Sequence, residues 1–184
     1  MGCSRSGRSY EAPRAPCLGR DTGKPNRQRD ARGTALSAYF NSGIITKWHL
    51  PEPDSAAALR FRARFKPPAV LTHLHRVEIV TAWHLKVFRR EIDLATVVHA
   101  LGDLEADIES GVWEAPRYDL ADVHAQAETL ARRHAAISGT RTLDILHVAA
   151  AASLGARHFV TGDRRQAALA KAAGLEVARF PARR

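Results

Sequence analysis

Short apolar runs alternate with longer amphipathic stretches along this 184-residue chain from about Ala35 onward. The short runs have the length of buried strands, whereas the longer stretches repeat their apolar residues at the helical spacing of three and four. Strands that alternate with helices require crossover connections, which favour a parallel sheet covered by helices on both faces. The sequence therefore predicts one α/β domain over residues 35–184, a three-layer α/β/α fold around a mostly parallel five-stranded sheet.

The pattern places individual elements along the chain. It predicts strands at residues 38–40, 69–71, 112–115, 157–161 and 176–179. It predicts helices at residues 44–50, 55–65, 73–89, 94–109, 120–136, 143–154 and 164–173. Asp54 and Thr72 each precede a helix and have side chains suited to capping its first amides. Because sheets of this class bind ligands at the carboxyl ends of their strands, the residues that follow each strand are functional candidates.

Residues 1–34 differ from the rest in being rich in Gly, Pro, Ser and Arg and nearly without large aliphatic residues. Such a segment cannot bury enough apolar surface to offset the entropy lost on ordering, so a disordered basic extension is predicted. Residues 1–33 hold eight basic and three acidic residues, which is +5 of the formal +9 of the chain. The first six residues also fit the myristoylation pattern M-G-x-x-x-S, an alternative that the pattern leaves open.

Cysteine usage and hydropathy bear on the cellular compartment. Cys3 and Cys17 are the two cysteines, and both lie in the extension, which is typical of a reducing compartment and leaves no cysteine zinc site. No apolar run approaches the roughly 20 residues that span a bilayer. A cytoplasmic protein without membrane contact is therefore predicted. The remaining charge of the domain is mildly basic and suits approach to a phosphate backbone.

Two polar side chains follow predicted strands directly. Asn41 comes after the first strand, and Asp163 comes after the fourth, within the run Phe-Val-Thr-Gly-Asp. Both residue types are also preferred as caps before a helix, and a helix is predicted after each. Position alone leaves capping and ligand binding open for both residues.

Two further carboxylates lie on predicted helices with largely apolar surroundings. Glu78 shares a helix face with apolar neighbours at i, i+3 and i+4 spacing, where a carboxylate is costly to desolvate without a cation or donors. The alternative is a stripe edge from which Glu78 reaches water or an arginine. Asp144 lies in the first turn of a helix that is apolar on nearly every side, where it either complements the helix dipole or points inward to a site.

If strands 1 and 4 are neighbours, these four side chains can converge. Clustered carboxylates repel one another unless a cation neutralises them, and hard oxygen ligands suit Mg²⁺ or Mn²⁺. Such ions can bind a phosphodiester, activate water and stabilise a leaving oxygen. The constellation of Asn41, Glu78, Asp144 and Asp163 therefore points to a metal-dependent nuclease.

Four stretches over residues 38–180 resemble the PIN-domain family, especially the VapC-like ribonuclease toxins of bacterial toxin–antitoxin modules. They are residues 39–53 around Asn41, 76–79 around Glu78, 143–151 around Asp144, and 159–170 around Asp163. The resemblance implies a PIN-like fold and an endoribonuclease that cuts single-stranded RNA. It also implies a small antitoxin as partner and a homodimer as the assembly.

The resemblance carries roles over to individual residues. It implies that Glu78, Asp144 and Asp163 bind the metal, with Thr161 and Ser42 supporting them. The departure is Asn41, because the family places an Asp there. An amide oxygen can still ligate Mg²⁺, but it lacks the charge that holds a hard cation. The sequence leaves open a slow nuclease, an inactivated family member, or a variant isolated to avoid toxicity.

Several alternatives remain beside the nuclease. One is a non-catalytic PIN domain that binds RNA or a partner protein, which Asn41 favours. Another is an unrelated doubly wound domain in which the four residues act as caps and dipole partners. His73, His75 and His84, or Asp144 with His147, could instead bind a transition metal. No G-x-G-x-x-G, Walker A or G-x-S-x-G pattern is present. The sequence therefore lacks the signatures of nucleotide-binding enzymes and of α/β-hydrolases.

Overall fold

A computed structural model describes residues 38–65 and 68–181. The predicted extension 1–34, with both cysteines and the myristoylation pattern, lies outside the described residues. The strands are β1 (Ala38–Phe40), β2 (Ala69–Val70), β3 (Trp113–Glu114), β4 (His158–Thr161) and β5 (Glu176–Arg179). The helices are α1 (Ser42–His49), α2 (Ser55–Arg62), α3 (His73–Phe88), α4 (Leu94–Glu109), α5 (Leu120–Leu130), α6 (Ala136–Ser138), α7 (Thr142–Ser153) and α8 (Arg164–Ala172), with a π-helical turn (Ala131–Ala135) between α5 and α6.

The five strands form one sheet in the order β3-β2-β1-β4-β5. Every pair of neighbouring strands is parallel, so the sheet is wholly rather than mostly parallel. The predicted α/β class, with a five-stranded sheet flanked by helices, is confirmed. Strands β1 and β4 are neighbours, which is the condition on which the predicted convergence of side chains depends.

The two faces of β1 belong to two different apolar cores. Ala38 and Phe40 pack with α1 to α4, whereas Tyr39 packs with α5, α7 and α8. All three side chains are fully buried, as expected for the central strand of a parallel sheet. The winding of the chain reverses between β1 and β4, and open α/β sheets bind ligands in the crevice at such a reversal.

Local capping chemistry, predicted at the starts of α2 and α3, is observed at α3 but not at α2. Thr72 accepts a hydrogen bond from the backbone N–H of His75, and His75 Nδ1 accepts one from the backbone N–H of Thr72, so a capping box begins α3. Asp54 occupies the predicted position before α2, but its side chain makes no capping hydrogen bond. Its carboxylate lies 3.8 Å from Lys47 Nζ. Ion pairing therefore replaces the expected capping role.

The helix predicted at residues 120–136 is not continuous. Helix α5 ends at Leu130, and a π-helical turn of five residues follows before α6. A π turn widens the helix by one residue without needing glycine or proline, so the amphipathic pattern carries no signal for it. Helix α2 ends at Arg62 rather than near Phe65, and the other predicted boundaries lie within two residues of those observed.

The packing of Phe159 provides a test of the fold. Phe159 is fully buried on β4 and stacks on Tyr39 with ring centroids 5.6 Å apart. Phe159→Ala should lower the free energy of unfolding by about 3–5 kcal/mol, because it leaves a cavity in the core. Chemical denaturation with circular dichroism measures the change. The matched control Phe88→Ala removes a ring that is 83% exposed, and it should cost less than about 0.5 kcal/mol. Equal losses in the two variants would contradict the placement of β4.

Candidate active site

Asn41 and Asp163 stand at the carboxyl ends of the adjacent strands β1 and β4. The backbone N–H of Asn41 donates to Val160 O at 2.8 Å, so the pairing of the strands continues to the candidate residue itself. Asn41 Oδ1 accepts from the Gly43 N–H at 2.9 Å and caps α1. Asp163 Oδ1 accepts from two backbone N–H groups, those of Arg165 and Gln166, and caps α8. The capping roles that the sequence left open are therefore real for both residues.

Glu78 enters the same region from α3. Its Oε2 lies 2.5 Å from Ser42 Oγ and 2.5 Å from His147 Nε2. The other ring nitrogen of His147, Nδ1, lies 2.8 Å from the hydroxyl of Tyr39. Burial works to raise the pKa of Glu78, but the hydrogen bond and charge of His147 and the hydroxyl of Ser42 outweigh it, so the pKa lies below its ordinary value. Ser42 and His147 thus hold Glu78 as a carboxylate in one orientation.

The core-facing stripe of α3 is not the one that carries Glu78. The residues of α3 that are fully inside the protein are His75, Ile79 and Trp83. The face of Glu78 lines a cleft, and Phe88 at its far end is largely exposed. The stripe of Glu78 therefore borders a cleft rather than the core, and the hydrogen bonds of Ser42 and His147 offset the desolvation of its carboxylate.

Asp144 lies in the first turn of α7, half-buried beside the other acids. Burial raises its pKa above the ordinary value, and the negative charges of Asp163 and Glu78 add to that effect. Such mutual repulsion arises only where carboxylates are close in space. The charges of Glu78 and Asp163 therefore both act on Asp144.

Gln166 is the site residue that the sequence reasoning missed. It is fully buried on α8, and Thr161 Oγ1 donates to its Oε1 at 2.6 Å. Asn41 Nδ2 donates to the same oxygen at 3.0 Å, and Gln166 Nε2 donates to Asp144 Oδ1 at 3.3 Å. Its spacing of three from Asp163 is the spacing of a capping box, which predicts a contact with the local backbone. The side chain instead crosses to β1 and α7.

The histidines considered as transition-metal ligands do not form a group of three ligands within residues 38–65 and 68–181. His75 is buried, its Nε2 lies 2.7 Å from Phe40 O, and its Nδ1 accepts from the Thr72 N–H. Burial, and then the charge of His147, lower the pKa of His75 well below its ordinary value. His73 and His84 are exposed. These contacts make His75 a neutral structural residue, and they leave His147 with Tyr39 and Glu78.

A cleft of about 510 Å³ opens between α1, α3 and α7. Its lining combines the polar residues Asn41, Ser42, Glu78 and Asp144 with a mostly apolar wall. The apolar wall consists of Leu74, Val77, Ala82, Leu85 and Leu143. Asp163 is exposed at the rim of this region rather than inside the cleft. The arrangement can receive a ligand that combines a charged group with a flat or apolar one.

The side-chain oxygens of the candidate site are of the kind that a hard divalent cation needs. Three carboxylates and one amide oxygen match the ligands that Mg²⁺ and Mn²⁺ prefer. As the side chains stand, however, no three His, Cys, Asp or Glu residues within 38–65 and 68–181 form a group that could hold a metal ion. Glu78 Oε2 and Asp144 Oδ1 are engaged in the hydrogen bonds described above, with which an ion would have to compete. The chemistry fits, whereas a preformed coordination shell is absent from the described residues.

Comparisons with known proteins do not assign the site. No model of a protein family matches the chain, and no curated protein matches it significantly. Within the part of the chain that the structure describes, no helix is long and apolar enough to cross a membrane. The functional argument therefore rests on the residues and their geometry.

The hydrogen bonds of Glu78 predict an acid-dependent loss of stability. A lowered folded pKa gives stability that is present above the unfolded value of 4.5 and is lost as pH falls through the folded pKa. Glu78→Gln should therefore cost about 1–2 kcal/mol at pH 7 and flatten the decline of melting temperature below pH 4.5. Thermal unfolding from pH 3 to 7 measures both effects. Glu109→Gln, an exposed change on α4, serves as control; a variant curve for Glu78→Gln that stays parallel to wild type would refute the pairing.

The raised pKa of Asp144 predicts a dependence of stability on pH that is opposite in sign to that of Glu78. Because its folded pKa is raised, the folded protein binds this proton more tightly than the unfolded chain, so stability falls as pH rises above the ordinary value of 3.8. In EDTA at pH 7, Asp144→Asn should therefore unfold at a higher temperature than wild type, by about 2–4 °C. Asp122→Asn is the matched control, since Asp122 also lies in the first turn of a helix. A lower melting temperature for Asp144→Asn would contradict the coupling of the carboxylates.

Proposed function

We propose that this protein is a divalent-metal-dependent endoribonuclease that hydrolyses phosphodiester bonds of single-stranded RNA. The observation that carries the proposal is that Asn41, Glu78 and Asp144 line one cleft where the winding of the sheet reverses, between β1 and β4, with Asp163 at its rim. The order of these residues along the chain also resembles that of PIN domains. A cluster of carboxylates at the ligand-binding edge of a sheet, in which the pKa of Asp144 is raised, is a recognised sign of a functional site.

The proposed roles divide between holding the ion and holding its ligands. Glu78, Asp144 and Asp163 would bind Mg²⁺ or Mn²⁺, with the amide oxygen of Asn41 as the weakest ligand. When bound, such an ion lowers the pKa of an attacking water and stabilises the departing oxygen. The hydrogen bonds of Ser42 to Glu78 and of Thr161 to Gln166 orient the oxygens around it.

Three exposed arginines border the acidic group and suit the RNA backbone. Arg141 immediately precedes α7, which carries Asp144, and Arg164 and Arg165 follow Asp163. Arg165 Nη1 reaches Gly139 O at 3.4 Å, next to the start of α7. Guanidinium groups at the rim can hold phosphates on either side of the cleaved bond without reading base sequence. The apolar wall of the cleft is suited to an unpaired base, which favours single-stranded RNA.

A second candidate function is a non-catalytic PIN-like module that binds RNA or a partner protein. The observation that favours it is the engagement of both polar atoms of Asn41, by Gly43 and by Gln166. An amide engaged in this way supplies no charge to a metal site, and its oxygen already accepts the hydrogen bond of Gly43. Binding would then rely on the arginines and on the cleft, without turnover.

The resemblance to VapC-like toxins extends the proposal to partners. We propose that the chain is the toxin of a toxin–antitoxin pair, acting in the cytoplasm as a homodimer. A small antitoxin would cover the cleft, whose wall exposes Val77 by 65% and Leu143 by 49%. Apolar side chains exposed beside a functional cleft are typical of a surface that a partner covers.

Cleavage of a labelled single-stranded RNA with Mn²⁺ tests the two functions. Wild type should cleave, and Glu78→Gln or Asp144→Asn should lower the rate at least ~100-fold, because each removes a charge that holds the ion. EDTA should abolish the reaction. Asp122→Asn should cleave like wild type, since it removes an equally placed helix carboxylate outside the site.

Other outcomes separate the alternatives. Cleavage by Asn41→Asp alone, with RNA binding by wild type, would mean that the scaffold is intact and the amide disables it. RNA binding without cleavage in every variant would support the non-catalytic module. If no variant cleaves or binds RNA, and Mn²⁺ leaves the melting temperature unchanged, the nuclease and the RNA-binding module are both wrong, and only binding to a partner protein remains.

A further inference from the structure

Gln166 joins three parts of the chain that meet at the candidate site. From α8 it contacts Asn41 at the end of β1, Thr161 at the end of β4 and Asp144 on α7. It is fully buried, and its amide oxygen accepts two hydrogen bonds while its amide nitrogen donates one. A buried glutamine with partners at both ends of its amide has a single favourable orientation.

Two backbone N–H groups determine the direction of these hydrogen bonds. The Gly43 N–H can only donate, so it takes Asn41 Oδ1 and turns Asn41 Nδ2 toward Gln166. The Asp163 N–H likewise donates to Thr161 Oγ1, which leaves the single hydroxyl hydrogen of Thr161 for Gln166. Asn41 Nδ2 and the Thr161 hydroxyl therefore both donate to Gln166 Oε1.

At the other end, the amide group meets an acceptor. Gln166 Nε2 donates to Asp144 Oδ1, and an ionised carboxylate can only accept. The hydrogen bonds therefore run in one direction, from two backbone amides through Gln166 to Asp144. Reversing the Gln166 amide would place its Nε2 against Asn41 Nδ2, so that two donors face each other. It would also place its Oε1 against Asp144 Oδ1, so that two acceptors face each other.

We infer that Gln166 is a positioning residue of the candidate site, and that its amide is matched to an amide rather than a carboxylate at position 41. The part of this inference that concerns metal binding rests on the proposed function, whereas the pairing of the two amides does not. An Asp at position 41 has no donor, so its second oxygen would face Gln166 Oε1. Gln166 would then have to turn, which withdraws its donor from Asp144.

The consequence concerns how a carboxylate at position 41 would act. Asn41→Asp adds a charge that favours a divalent cation. By turning Gln166, however, it also breaks the hydrogen bond from Gln166 Nε2 that orients Asp144. The benefit of the new carboxylate should therefore be realised only when residue 166 no longer carries an amide. Gln166→Met removes the amide while keeping an unbranched side chain of similar length.

A double-mutant cycle in EDTA tests the pairing without any metal or RNA. Asn41→Asp should lower the melting temperature by about 5 °C in the wild-type background and by less than half as much in the Gln166→Met background. Gln126→Met, an exposed change on α5, is the matched control and should leave the effect of Asn41→Asp unchanged. Equal decreases in the wild-type and Gln166→Met backgrounds would overturn the inference.

Two further measurements keep the inference decidable. Mn²⁺ binding to the same four proteins should show that Asn41→Asp improves affinity about tenfold more in the Gln166→Met background than in the wild-type background. Absence of Mn²⁺ binding in all four would contradict the proposed function, while the melting temperatures still decide the pairing. If Gln166→Met does not fold, the side-chain amide signals of Gln166 in metal-free wild type and Asn41→Asp decide it by NMR; identical signals in the two proteins would overturn the matched amides.

Discussion

The parallel pairing of β1 with β4 is the interaction on which the candidate site depends. These strands are far apart in sequence, yet the backbone N–H of Asn41 continues their ladder by donating to Val160 O. This register brings the residue after β1 beside Thr161 and the start of α8. Helices from both faces of the sheet then contribute the remaining acids, Glu78 from α3 and Asp144 from α7. A change in strand order would separate all four side chains, because each is placed by a different element.

Hydrogen bonding in the site serves structure and proposed chemistry with the same atoms. Asn41 and Asp163 satisfy helix amides that would otherwise lack partners, and this is sufficient reason for their presence. The neighbouring polar groups go beyond capping. Glu78 is fixed by Ser42 and His147, and Asp144 is kept near other negative charges at a cost to its ionised form. Capping alone does not require coupled carboxylates in a cleft, which is why the site is interpreted as functional.

Asn41 is where the structural and functional interpretations diverge. Its amide donates to Gln166 as well as accepting from Gly43, so it fits its surroundings better than a carboxylate would. An Asp at position 41 would place an oxygen against Gln166 Oε1. The matched hydrogen bonds instead indicate that positions 41 and 166 suit one another. Under the proposed function, the effect of the amide at position 41 therefore depends on a pair of residues rather than on one substitution.

The sequence by itself determined the α/β class, the central strands and the cap at Thr72, and it gave capping as one of two roles for Asn41 and Asp163. These features depend on local spacing and on hydrogen bonds that span two or three residues, which a linear pattern records. It also identified the four candidate ligands, although not the π turn after Leu130 or the cleft-facing side of Glu78. Only the tertiary structure decided that Gln166 meets Asn41 and that His147 joins Tyr39 to Glu78. Those contacts link residues 125, 108 and 69 positions apart, and such partners are chosen by strand order and helix packing rather than by neighbours in the chain.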